Sequence, residues 1–232
     1  MKRYSADTFL REISRYIRDD EFEKTEKFYK GDNENTKDLG VKFGDVFAVA
    51  KKFYRMDTKD IIKLLKNDYY EIRMAAVAIM GYQVKDQEIP ENRKTELFNL
   101  YLDHHDRIDN WDLVDRASYL VLGEYLLSKE ESIKPLFELA DSDDPWRRRS
   151  AIVSTFAYLR KGDVSVTLKI AEKLLKDEHE YVQKALGSWL REATKRDQQK
   201  TVEFLRVHKY EMNRDTLKTA KEKLPKDIAQ TI

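Results

Sequence analysis

The 232-residue chain contains no cysteine, only four prolines and only seven glycines. Without cysteine there can be no disulfide, no thiolate zinc site and no cysteine nucleophile. So few backbone punctuators argue against a turn-rich β architecture and for a chain that is almost wholly helical. No apolar run approaches the roughly 20 residues needed to span a bilayer, so no membrane partner is expected. The first residues, MKRYSADTFLREISRYIRDD, are charged every few positions and lack a signal-peptide core, so the expected setting is cytoplasmic. Glycine-rich phosphate loops and Ser-His-Asp spacing are also missing.

Charge of one sign is scarce overall, with a formal net charge of +1, whereas dedicated nucleic-acid binders often carry a strong excess of Lys and Arg. The balance is uneven, however. Residues 145–196 hold 12 Lys and Arg against 6 Asp and Glu, which leaves the rest of the chain net negative. A basic face in the C-terminal half is therefore expected.

What the chain does have is period. Thr8 to Ile17 places Phe9, Leu10, Ile13 and Ile17 on one helical stripe, and EFEKTEKFYK predicts a second helix completing an N-terminal hairpin. Residues 30–40 are polar and loop-like, and FGDVFAVAKKF resumes the helical pattern from Phe43. Further on, LKNDYYEIRMA, LADSDDPWRRRSA and LKDEHEYVQKA each end a helix, turn, and begin another toward an alanine. With NWDLVDRA in the same register, the alanines are Ala75, Ala117, Ala151 and Ala185, at steps of 42, 34 and 34 residues. Such periods belong to two-helix solenoid repeats. The expected fold is all-α, a right-handed α-solenoid of HEAT-like helix-pair repeats in one domain over 1–232. Residues 1–42 would form a hairpin and loop, 43–196 the repeats, and 197–232 capping helices.

The stretch YLDHHDRIDNWDLVD, 101–115, stands between two helices. Asn110 has the character of an N-cap, followed by Trp111, Asp112 and Asp115 in the first turns. A tryptophan at a helix start needs packing or a ligand to justify it. In the repeat register Asp115 and Arg149 each lie two residues before their alanine, hence on corresponding faces. Asp144 and Pro145 mark the start of the helix carrying Trp146 and three arginines, with Trp146 read as a staple or filler. Asp103, His104, His105 and Asp106 lack a third ligand at a recurring spacing, so no metal is expected. Histidine there suits a helix C-terminus.

With NWDLVD at 110–115, PWRRRSAI at 145–152 and KALGSWLREATKRD at 184–197, the sequence resembles the DNA alkylation repair family of HEAT-like-repeat DNA glycosylases typified by AlkD. The resemblance implies a glycosylase that hydrolyses the N-glycosidic bond of cationic alkylpurines, 3-alkyladenine and 7-alkylguanine, in double-stranded DNA. It implies Asp115 as the catalytic carboxylate, Trp111 as an aromatic face against cationic base or sugar, and Arg148 or Arg149 as the phosphate contact. AlkD-type enzymes carry a second cleft tryptophan directly after the glycine of the late helix. Here Ser188 follows Gly187, and Trp189 stands one residue on, roughly 100° further round a helix. Ser188 and Trp189 are the positions assigned to that part of the DNA-binding surface, with core packing the alternative for Trp189. The resemblance also implies that the duplex lies across the protein surface instead of surrendering a base to a deep pocket. A monomer without cofactor or metal is expected. The alternatives are a diverged, non-catalytic family member that binds DNA structures, and a HEAT-type scaffold for a protein partner.

Overall fold

The computed structural model describes residues 4–21, 29–30, 35–129 and 133–232. They fall into two compact units, Met1–Tyr125 and Leu126–Ile232.

The first unit opens with α1 (Ala6–Ile13), started by a reciprocal capping box: Ser5 Oγ accepts the Thr8 amide at 3.3 Å and the Ser5 amide donates to Thr8 Oγ1 at 3.0 Å. Phe9 and Ile13 are buried as the stripe requires, but Ile17 is 40% exposed. The helix tightens into a 3₁₀ turn at Ser14–Tyr16 and the chain leaves it extended, so the fourth stripe position never reaches the buried face. The second helix of the expected hairpin lies mostly outside the described residues.

Next come α2 (Phe43–Lys52), α3 (Thr58–Leu65), α4 (Tyr70–Lys85), α5 (Glu91–Asp103) and α6 (Trp111–Ser118). α2, α3, α5 and α6 all pack on α4. Thirteen of the 16 residues of α4 are buried, so it is apolar on nearly every side, as a central helix must be. The described part of the 35–41 segment is tied to its start. Glu71 accepts the Leu39 amide at 2.9 Å and the Val41 amide at 3.2 Å, and the Tyr70 amide donates to the Lys37 carbonyl at 2.9 Å. Gly40, at φ 73°, supplies the left-handed residue this path needs. α6 runs on into a π turn over Tyr119–Glu124 and then α7 (Tyr125–Lys129).

The second unit contains α8 (Lys134–Ala140), α9 (Pro145–Ser154), α10 (Phe156–Leu159), α11 (Ser165–Leu174), α12 (Glu180–Arg196), α13 (Gln198–His208), α14 (Arg214–Lys221) and α15 (Lys226–Ala229). Here α12 is the central element, in contact with α9, α10, α11, α13 and α14. Its close approach to α14 depends on Gly187, where an added Cβ would stand 3.1 Å from the Thr216 carbonyl oxygen. α9 starts as expected: Asp144 Oδ1 accepts the Trp146 amide at 2.8 Å and Pro145 takes the first helical position.

The alanine register is borne out. Ala75, Ala117, Ala151 and Ala185 sit in α4, α6, α9 and α12, and all are buried. Among the described residues, no helix is long and apolar enough to cross a membrane.

Candidate functional site

α6 divides cleanly into two faces. Leu113, Val114, Ala117 and Ser118 are buried, while Trp111, Asp112, Asp115 and Arg116 are half-buried. Trp111 and Asp115, four residues apart, lie one turn from each other on the same face.

The start of this helix is held by side chains from far along the chain. Asn110 occupies the N-cap position in extended geometry, but its side chain makes no capping hydrogen bond, contrary to the sequence reading. It is turned elsewhere: Oδ1 accepts the Lys30 amide at 2.8 Å, and Nδ2 donates to Tyr70 Oη and to Asp112 Oδ1, both at 2.7 Å. The Leu113 amide is taken instead by Asp112 Oδ1 at 2.9 Å. Tyr70 donates to the same carboxylate. Burial raises the Asp112 carboxyl above its ordinary range, while hydrogen bonds from Tyr70 and Asn110 pull it back. Burial and the adjacent Asp112 push the Tyr70 phenol upward. Beside them, fully buried Arg73 donates to Asp109 Oδ2 at 3.0 Å and to Thr36 Oγ1 at 2.8 Å, and the Tyr29 hydroxyl reaches the same Asp109 oxygen at 2.7 Å.

Asp115 lines a small cavity with Ala78, Gly81, Tyr82 and Lys85 of α4 and with Arg116, Tyr119 and Leu120. Its volume is about 120 Å³, room for several waters but below the roughly 300 Å³ at which pockets for whole small molecules begin. Arg116 closes one side. Its guanidinium carbon stands 4.0 Å from the centre of the Phe47 ring, and Nη2 donates to Tyr82 Oη at 2.8 Å.

The repeat register sets Asp115 apart. The residues two before the other register alanines are Arg73, Arg149 and Gln183, all of them buried. Arg149 donates to the Tyr181 carbonyl, and Gln183 Nε2 to the carbonyls of Leu174 and Asp177 at 3.1 and 2.8 Å. At the same position Asp115 is a half-buried acid on a cavity wall.

Arg148, Arg149, Ser188 and Trp189 belong to the second unit. The Arg148 fork grips Asp177 through Nε at 2.5 Å and Nη2 at 3.2 Å, while Nη1 donates to the Ser142 and Asp143 carbonyls. Arg149 is 5% exposed. A phosphate would have to compete with these internal acceptors, so the free phosphate-holding fork expected at 148 or 149 is not what the geometry provides. Trp189 is half-buried: its Nε1 donates to the Val153 carbonyl at 3.2 Å and the ring packs with Phe156 against Leu159, Val164 and Ala193. Ser188 is half-buried beside it. Trp146 is the expected filler, 4% exposed, its ring centre 5.3 Å from that of His179 in an edge-to-face arrangement. His104 caps the C-terminal end of α5, and His105 is buried against Tyr101. Among the described residues, no group of three or more His, Asp or Glu side chains could hold a metal ion.

Sequence reasoning missed Phe47 and Tyr82. The signal was present in Phe43, Phe47 and Lys51, which recur every four residues on α2, and in Tyr82, seven residues beyond Ala75 on α4.

A family model described as DNA alkylation repair enzyme matches residues 9–224. Comparison with curated proteins gives no significant match. Among solved structures, a protein of Enterococcus faecalis described as a predicted DNA alkylation repair enzyme is similar at TM-score 0.69 and 15% identity, covering 90% of this chain and 97% of its own. AlkD2 from Streptococcus mutans is similar at TM-score 0.60 and 17% identity, covering 94% of this chain and 99% of its own. At these identities the likeness shows the fold, an all-helical array of the AlkD type.

Proposed function

The chain belongs to the DNA alkylation repair enzyme family, and from that premise we propose that it hydrolyses the N-glycosidic bond of 3-alkyladenine or 7-alkylguanine in double-stranded DNA. An alkylated purine of this kind is cationic and leaves readily, so the bond needs no general acid. As C1′–N breaks, the base departs with the bonding electrons and positive charge develops on the deoxyribose. A carboxylate there stabilises that charge, orients the attacking water and receives its proton, a task carboxylates perform in sugar transfer generally. Asp115 takes this part, and Trp111 offers a π face to the cation one helical turn away.

The observation that carries this reading is Asp115 itself. Where the repeat has a buried clamp at three other register positions, it has here a half-buried acid on a cavity wall. The small size of the cavity suits a water and the edge of a sugar, with the duplex outside. Release of free 7-methylguanine from methylated duplex DNA tests the proposal. Release should occur with the native protein and fall at least 100-fold with Asp115→Asn, while folding is unchanged. No release from the native protein overturns it.

One observation favours a second reading, a non-catalytic binder of DNA. The half-buried Trp189 is held by the Val153 carbonyl and packs on the core, and Ser188 stands where the resemblance to AlkD-type enzymes expects a tryptophan, which leaves an aromatic cradle of that kind one wall short. Duplex binding that survives Asp115→Asn, without base release by either form, would select it.

A further inference from the structure

A second cavity of about 360 Å³ lies beside that of Asp115 and shares two walls with it, Tyr82 and Lys85. Lys51, Tyr54 and Asp86 complete it. On α2, Phe47 and Lys51 are one turn apart, so the face that supports Arg116 continues into an ammonium. On α4, Tyr82 and Lys85 repeat the arrangement.

Local charges are unequally engaged. Lys52, next to Lys51, pairs with Glu12 at 3.3 Å, and Lys94 pairs with Glu91 at 2.7 Å. Among the described residues, Lys51 and Lys85 have neither a hydrogen-bond nor an ion-pair partner. Of the carboxylates on the two cavities, Asp86 accepts the Glu88 amide at 2.9 Å, and Asp115 lines the smaller cavity with Lys85. Tyr54 accepts from Arg55 Nε at 2.9 Å, which fixes the outer rim. The result is a shallow hollow with two tyrosines, Tyr54 and Tyr82, and two exposed ammonium groups that no carboxylate directly pairs.

We propose that Lys51 and Lys85 form a phosphodiester subsite beside Asp115, holding the DNA strand by its backbone while the Tyr82 ring underlies the adjoining sugar. The subsite rests on the reading of the Asp115 cavity as the place of excision. Lysines serve as point charges here, so the contact positions the strand without reading its sequence.

The test is the salt dependence of binding to an unmodified DNA duplex, measured with the full chain. For every phosphate that the protein ceases to neutralise, the slope of log K against log salt should shrink by about 0.9. Lys51→Gln with Lys85→Gln should therefore flatten the slope by about 2, and Lys59→Gln, on α3 and lining neither cavity, should leave it unchanged. A double variant with the native slope, or a native protein that does not bind duplex at low salt, overturns the subsite. An altered slope with no base release by the native protein upholds the subsite and overturns excision. Release lost on Asp115→Asn with an unaltered slope does the reverse.

Discussion

The guanidinium of Arg116 lies over the Phe47 ring, 4.0 Å from its centre, and the same side chain donates to Tyr82 Oη at 2.8 Å. One residue thereby joins α2, α4 and α6 immediately beside Asp115. Arg116→Met should keep much of the packing but remove both the cation and the donor, costing about 1 to 2 kcal/mol. Tyr82→Phe alone should cost less, and the two changes together less than their sum. Urea denaturation of the three variants measures the coupling, and additive effects would show that the pair does not act together.

Glu71 gives the fold a pH dependence. Burial, followed by its hydrogen bond with Asp38, pushes its carboxyl up from 4.5 to about 7, against the pull of the Leu39 and Val41 amides. Between these values the folded chain keeps a proton that the unfolded chain releases. Stability should therefore fall as pH rises from about 4.5 to 7 and level off above, with Asp112 contributing in the same sense. The slope per group cannot exceed about 1.4 kcal/mol per pH unit. Denaturation midpoints taken between pH 5 and 8 should show the decline, and Glu71→Gln should flatten it.

Arg148 is expected to matter for folding before it matters for DNA. Asp177 has a side chain only 3% exposed, and Arg148→Ala would leave that carboxylate buried without its partner. A destabilisation of about 3 kcal/mol is expected in the absence of any ligand. Arg148→Lys should recover only part of it, because an ammonium cannot reproduce the two-pronged contact. Thermal unfolding without DNA decides the matter. An unchanged midpoint for the alanine variant would return this guanidinium to the phosphate role.

The repeat was legible in the sequence because small residues are required wherever central helices approach, and Ala75, Ala117, Ala151 and Ala185 keep that phase. Asp144 and Pro145 were legible because a cap acts within three residues. Asn110 was not, since its partners Lys30 and Tyr70 are 80 and 40 residues away. The direction of Trp189 likewise depends on a carbonyl 36 residues earlier, at Val153. Local rules gave the right position in both cases and could not give the orientation, which is set by tertiary partners.

An array made by repetition carries its own reference samples. Arg73, Arg149 and Gln183 are three internal standards for position 115, so the stability surrendered to chemistry there can be gauged within one molecule. Putting glutamine at 115 should firm the scaffold while silencing it, the trade expected wherever a reactive group displaces a structural one.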